Sequence, residues 1–202
     1  CDAITAGAGD PSLLVLPLYG DLDAAAQDAA LRPAPAGRRK VVVATNLAET
    51  SLTIEGVRIV VDVGLERRQR FDPNSGMSRL ETVAISRASA DQRRGRAGRT
   101  APGVCYRLWS ESAHASLSAQ VVPEILEADL APLALELACW GANDPQSLAW
   151  LDPPPLATLT QAKELLYRLE AIDERGHATP IGRRMASLGT HPRLAHMIER
   201  GA

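Results

Sequence analysis

Lysine is nearly missing from this 202-residue chain: Lys40 and Lys163 stand against twenty arginines, so almost every cation is a planar, forked guanidinium. Aromatic residues make up only 3% of the sequence, which argues against a platform of rings for stacking a single strand of nucleic acid. The three cysteines, Cys1, Cys105 and Cys139, have no metal-ligand spacing and cannot all pair. No metal site is therefore expected, and a reducing, cytoplasmic setting is. The longest apolar runs, such as residues 41–44 and 59–61, are far too short to span a bilayer, so no membrane association is expected. The first residues carry no basic segment followed by an apolar one, which speaks against a secretory leader. Two phosphate-chemistry signatures are also missing: a Gly-rich loop ending in Gly-Lys-Ser/Thr, and Asp-Glu-x-His.

What is present is a hydrophobic fraction of 46% on a chain long enough for one good core and a second small one. Formal net charge is −2, yet six arginines fall between Arg87 and Arg107 against Asp91 alone. Their centre is the string Gln92-Arg93-Arg94-Gly95-Arg96-Ala97-Gly98-Arg99. A local field of that sign suits an anionic target, phosphate first. A solvated basic surface is the alternative, but Gly95 and Gly98 lower the helix propensity that a merely solvated charged helix would need.

The first half reads as a parallel sheet. Leu13-Leu14-Val15-Leu16, expected to close at Pro17, and Val41-Val42-Val43 are continuous apolar strands, and residues 57–61 and 104–108 extend the series. An alanine-rich stretch at 22–31 has the length of a crossover helix, stopped by Pro33 and Pro35. Residues 66–71 and 78–85 flank Asp72-Pro73-Asn74-Ser75-Gly76, a turn cluster that predicts a β-ribbon projecting from the sheet. After Trp109 the pattern becomes helical. One run is expected over 124–140, interrupted by Pro132 and ending near Gly141, and another follows the prolines at 153–155 with a capping box at Thr158 and Gln161. Residues 170–179, with Asp173 and Gly176, read as the turn and wing of a winged helix, or as part of a generic helical subdomain. The segment 181–201 carries Met185, Leu188, Leu194, Met197 and Ile198 as core positions.

Three blocks then carry a resemblance. Leu16-Pro17-Leu18-Tyr19-Gly20, Ala44-Thr45-Asn46-Leu47-Ala48-Glu49-Thr50-Ser51-Leu52-Thr53-Ile54, and residues 92–99 resemble motifs IV, V and VI of the DEAH-box helicases of superfamily 2, in order and spacing. Leu151-Asp152-Pro153-Pro154-Pro155, Leu165-Leu166-Tyr167-Arg168-Leu169 and Pro192-Arg193-Leu194-Ala195-His196-Met197 are similar to the bacterial HrpB branch. The resemblance implies an α/β fold: a second RecA-like domain over 1–112 with its ribbon near 65–84, a winged-helix-like domain over 113–182, and the start of a helical bundle over 183–202.

It also implies roles. Arg96 and Arg99 match the arginine-finger positions and Gln92 the glutamine that meets the phosphates or the hydrolytic water. Ser51 and Thr53 are expected at the nucleotide, and Leu31 at its base in place of a stacking phenylalanine. Asp62 is expected at the nucleotide sugar or as a brace for the arginines. Thr45, Asn46 and Gly20 are expected at the nucleic-acid backbone. Glu49, acidic beside phosphate, is expected to pair with an arginine, and Arg93 and Arg94 to face a domain contact or solvent. The missing P-loop and Asp-Glu-x-His place ATP, or another nucleoside triphosphate, and Mg²⁺ on a first RecA-like domain outside this fragment, which alone is expected to be inactive. RNA, or another single strand, is the expected partner. The alternatives are a non-enzymatic nucleic-acid-binding or partner-docking module, and an NTPase that remodels nucleic acid–protein complexes without unwinding.

Overall fold

The computed structural model describes residues 1–50, 52–72, 77–99, 101–142 and 144–201, without the side chains of Thr50, Met77 and Gln146. These residues form two compact units, one of residues 1–68 and 80–121, the other of residues 69–79 and 122–202. No helix among them is long and apolar enough to cross a membrane.

In the first unit, strands β1 (Leu13–Leu18) and β2 (Arg39–Ala44) run parallel, in register from Leu13 opposite Arg39 to Leu18 opposite Ala44. Pro17 does not close β1 but lies inside it, opposite Val43. The ladder explains this: Ser12 and Leu18 accept from Arg39 N–H and Thr45 N–H at 3.0 and 3.1 Å, so even-numbered residues of β1 face β2. Pro17 therefore turns its missing donor away from the partner strand, where it costs no ladder bond. Helix α1 (Asp2–Ala8) precedes β1, and helix α2 (Ala24–Leu31) makes the crossover between β1 and β2. Asp23 caps α2 by accepting from Ala26 N–H at 2.9 Å, and Pro33 follows its end.

Strand β3 (Ile59–Asp62) pairs in parallel with β6 (Val104–Arg107), Asp62 lying opposite Arg107. The expected single series of strands is thus divided: among the described residues β1–β2 and β3–β6 are separate two-stranded parallel sheets. Between them in sequence lie the four-residue helix α3 (Leu47–Thr50) and residues 52–58, which form neither helix nor strand. Strands β4 (Leu65–Asp72) and β5 (Met77–Ala84) form the expected ribbon as a third two-stranded sheet, and its turn residues 73–76 lie outside the described residues. Helix α4 (Arg87–Arg94) packs beside β3, and α5 (Glu111–Ser116) follows β6.

The second unit is built on α6 (Ala131–Trp140), α7 (Leu156–Arg168), α8 (Pro180–Ser187) and α9 (Pro192–Gly201). Its core gathers Leu135, Leu159, Leu166, Ile172 and Met185, of which Leu166 and Met185 are fully buried. The expected run over 124–140 divides into a short 3₁₀ turn at Glu124–Leu126 and α6. Pro132 opens α6 rather than interrupting it, because a first-turn proline lacks a donor the helix would not have used. Gly141, with φ of 86°, ends it. The capping box at Thr158 and Gln161 does not form. Pro155 starts α7 before Thr158, so both residues lie inside the helix. Residues 171–179 make the small wing: Ile172 bridges Ala178, and the Asp173 carboxylate accepts from Arg175 and His177 N–H at 2.9 and 2.8 Å. The unit is a winged helix, followed in α9 by the start of a helical region.

Candidate functional site

Helix α4 carries the arginine cluster, and its two ends are set by local chemistry. Ser86, 2% exposed, accepts from Ser89 N–H at 3.0 Å and caps the N-terminus. At the other end Gly95 N–H closes on Asp91 at 3.0 Å, and two tight turns follow, Arg96 N–H to the Arg93 carbonyl and Ala97 N–H to that of Arg94, both at 3.1 Å. The string is helical only to Arg94, and its glycine-bearing half is a turn that fans out its arginines. Ala97 is 3% exposed and fixes that turn to the unit. The backbone of Gly103 lies directly beneath it: a Cβ at residue 103 would stand 2.1 Å from the Ala97 carbonyl oxygen and 2.6 Å from that of Arg58. Sequence reasoning missed Gly103. Its only signal is a glycine placed just ahead of strand β6.

A second group of residues follows the C-terminal end of β2. Thr45 N–H continues the ladder to Leu18, and the turn into α3 is closed by Glu49 N–H donating to the Asn46 carbonyl at 2.9 Å. Thr45, Asn46 and, beyond β1, Gly20 are exposed. This is the edge at which open α/β sheets present ligand-binding loops.

Arg93 joins the two groups. Its Nε donates to Glu49 Oε2 at 2.9 Å, and its Nη1 to Asp62 Oδ1 at 3.0 Å and to the Leu65 carbonyl at 3.2 Å. The three charged side chains are 15, 10 and 1% exposed for Arg93, Glu49 and Asp62. Burial works against the Arg93 charge, but its hydrogen bonds to both carboxylates and their negative charges outweigh it and hold the guanidinium above the ordinary arginine value. Arg93, expected at a domain contact or in solvent, is turned inward, and Glu49 pairs with an arginine as expected. Arg94 is the solvent-facing member, 3.5 Å from Asp91. Asp62 Oδ1 also accepts from Gly64 N–H at 3.0 Å, so this oxygen braces Arg93 and the turn after β3.

Arg96 and Arg99 reach the segment after α3. Arg96 Nη1 donates to the Leu52 carbonyl at 3.3 Å, while its buried Nε has no hydrogen-bond partner among the described residues. Burial, and then the like charge of Arg99, lower the Arg96 pKa from the ordinary arginine value, with Glu49 opposing them. Arg99, exposed, donates to Thr53 Oγ1.

A cleft of about 1070 Å³ in the first unit is walled by Gly20, Thr45, Asn46, Asp62, Arg93, Arg96 and Arg99 among others. Leu31, Thr53 and Gln92 do not line it. Gln92 is exposed on α4, Thr53 is held by Arg99, and Leu31 is half-buried with its carbonyl accepting from Glu55 N–H at 3.3 Å. Ser51 lies outside the described residues. Among the described residues no group of three or more His, Cys, Asp or Glu side chains is placed to hold a metal ion. What the cleft offers is charge: guanidinium groups beside exposed polar backbone and side-chain groups, suited to phosphate oxygens.

The model of the helicase conserved C-terminal domain matches residues 7–101, and that of the helicase associated domain (HA2), winged-helix, matches residues 164–189. The chain is similar to the ATP-dependent RNA helicase HrpB of Escherichia coli K12, 51% identical over 187 residues, which is 92% of this chain and 23% of that protein. It is also similar to the pre-mRNA-splicing factor ATP-dependent RNA helicase prp22 of Schizosaccharomyces pombe, 46% identical over 189 residues, 93% of this chain and 16% of that protein. A crystal structure of the Escherichia coli DEAH/RHA helicase HrpB superposes with a TM-score of 0.90 at 47% identity, covering 97% of this chain and 25% of that one. The chain therefore spans 16 to 25% of the length of these proteins.

Proposed function

The chain is the C-terminal RecA-like and winged-helix region of a DEAH-box, HrpB-like helicase, and from that premise we propose that it is the second motor domain of an ATP-dependent RNA helicase. In this reading residues 1–112 form the RecA-like half, 113–182 the winged-helix domain and 183–202 the start of a helical bundle. A first RecA-like domain of the same protein is the partner that holds ATP and Mg²⁺.

Arg96 and Arg99 act as the fingers. The observation that carries this assignment is that both leave the turn after α4 on the side of residues 52–53, with a buried Arg96 Nε that has no hydrogen-bond partner among the described residues. That orphaned donor fits a phosphate oxygen, and in this reading Mg²⁺ accompanies ATP on the first domain. Bound ATP supplies the phosphoanhydride bond whose hydrolysis drives the cycle. The two guanidinium groups neutralise charge that spreads over the transferred phosphoryl oxygens, and Gln92 orients a phosphate or the attacking water. Ser51 and Thr53 offer hydroxyls to the nucleotide and the interdomain surface. Leu31 covers the base with an aliphatic face, so discrimination among bases is weak, and Asp62 serves as the brace of Arg93. Thr45, Asn46 and Gly20 meet the sugar-phosphate backbone of RNA, a contact that reads charge and shape rather than sequence. Alternation between a closed state, with the fingers on the phosphates, and an open one moves these backbone contacts along the strand.

The test is RNA-stimulated ATP hydrolysis by the intact protein. Arg96→Ala and Arg99→Ala are each expected to lower turnover by about 10³- to 10⁵-fold, and wild-type turnover in both refutes the finger assignment. RNA binding by the intact protein without any hydrolysis overturns the motor in favour of a binding module.

A further inference from the structure

Arg93 and Arg94 are the charged members of the cluster whose side chains the finger chemistry does not use, and Arg93 is the one turned inward and tied down. Its guanidinium reaches three separate segments: Glu49 in α3, Asp62 at the end of β3, and the Leu65 carbonyl at the root of β4. Its own carbonyl accepts from Arg96 N–H at 3.1 Å, so the bond that starts the finger turn grows from this residue. The ribbon is reached twice. Asp62 Oδ1 also holds Gly64 N–H at 3.0 Å, and the Gly64 carbonyl accepts from Ile85 N–H, just beyond β5, at 3.1 Å. One forked cation thus links the finger turn, α3 and both strands of the ribbon at its root.

The chemistry of the site gives this link little slack. Asp62 Oδ2 is buried without a hydrogen-bond partner among the described residues, so the carboxylate depends on what its other oxygen receives. Removing the guanidinium leaves two largely buried carboxylates without their counter-ion. Lysine restores the charge but not the fork, because a single ammonium cannot reproduce a planar group bonded through Nε and Nη1 at once.

We propose that Arg93 is a positioning residue that sets the finger turn and couples it to α3 and to the root of the β4–β5 ribbon. The inference rests on the motor reading above. A misplaced finger turn loses interactions made in the transition state while nucleotide binding in the ground state is retained, so the signature is a fall in kcat with KM little changed.

The experiment measures RNA-stimulated ATP hydrolysis by the intact protein carrying R93K, R93Q, E49Q, R99A and the double variant R93Q/R99A, with thermal unfolding followed for each. R93K and R93Q are expected to lose about 10- to 100-fold in kcat with KM for ATP within about twofold of wild type, the scale of a displaced catalytic group. E49Q is expected to lose about fivefold or more, and the double variant to fall no further than R99A. A merely structural role instead lowers the unfolding temperature and leaves kcat of the folded enzyme unchanged. Folded R93K and R93Q with kcat within about twofold of wild type, or losses in the double variant that multiply, overturn the inference. If R93Q does not fold, R93K and E49Q decide, and unchanged kcat in both overturns it. Wild-type turnover in R99A sinks the finger assignment itself. An inactive R99A beside a fully active R93K sinks this inference alone.

Discussion

Gly64 sits at φ of 75° between β3 and β4, and a Cβ there would stand 2.8 Å from the Trp109 ring. Both the backbone conformation and the space demand glycine. Gly64→Ala is expected to destabilise the first unit by about 1–3 kcal/mol, measured as a shift in urea denaturation; an unchanged midpoint counts against that packing. Asp10 offers a titration test. The Ser12 hydroxyl and then its N–H donate to the carboxylate, Arg39 adds to them, and the pKa is lowered to about 2. Since the folded value lies below the ordinary 3.8, the group favours the folded chain above the unfolded value, and this contribution disappears as pH falls through about 2. Carboxyl NMR is expected to find the midpoint near 2 and to see it rise in Ser12→Ala. A midpoint near 3.8 in the native chain contradicts the geometry. The roles proposed for Arg96 and Arg99 were legible as residue types in a motif. That of Arg93 was not, because nothing in the string distinguishes an arginine turned inward from one turned out.

Helix ends decide much at the scale of the element. Ser86→Ala removes a buried cap from α4 and is expected to cost about 1–2 kcal/mol, read as a lower unfolding temperature. Gly182 in α8 is more constrained, since a Cβ there would lie 2.0 Å from the Ala171 carbonyl of the wing. Gly182→Ala is expected to cost about 1–3 kcal/mol and to disturb the amides of residues 171–179 in NMR spectra; unperturbed amides there would contradict the contact. Periodicity and turn chemistry were sufficient for α2 and for the strands of the β4–β5 ribbon, because those signals are local, whereas they left the wing open against a generic helical subdomain. They failed at Pro17, Pro132 and Thr158. In each case the meaning of the residue depended on position within an element, inside a strand, in a helix's first turn or already past it, which a string of residue types does not state.

At the scale of the whole molecule, the second unit stands on one apolar cluster in which Leu166 is fully buried. Leu166→Ala is expected to destabilise it by about 2–5 kcal/mol, followed as loss of helical circular dichroism on heating. The 202-residue chain alone is expected to release no phosphate from ATP above background, measured with and without RNA, because the proposed fingers work on phosphates held by another domain. The sequence by itself determined the α/β-then-helical order and the identity of the arginine string, since these follow from residue type, spacing and local propensity, and its motif blocks carried the resemblance to the family. Only the tertiary structure decided where each arginine side chain goes. Among the described residues it divided the parallel strands into two pairs, set Gly103 beneath the turn after α4, and brought Glu49, Asp62 and Leu65 around Arg93 from 44, 31 and 28 residues away. The physical reason is that a buried charge must find its partners in space. Which carboxylates surround it is fixed by how the strands and α4 pack, a relation that no local pattern of residues contains.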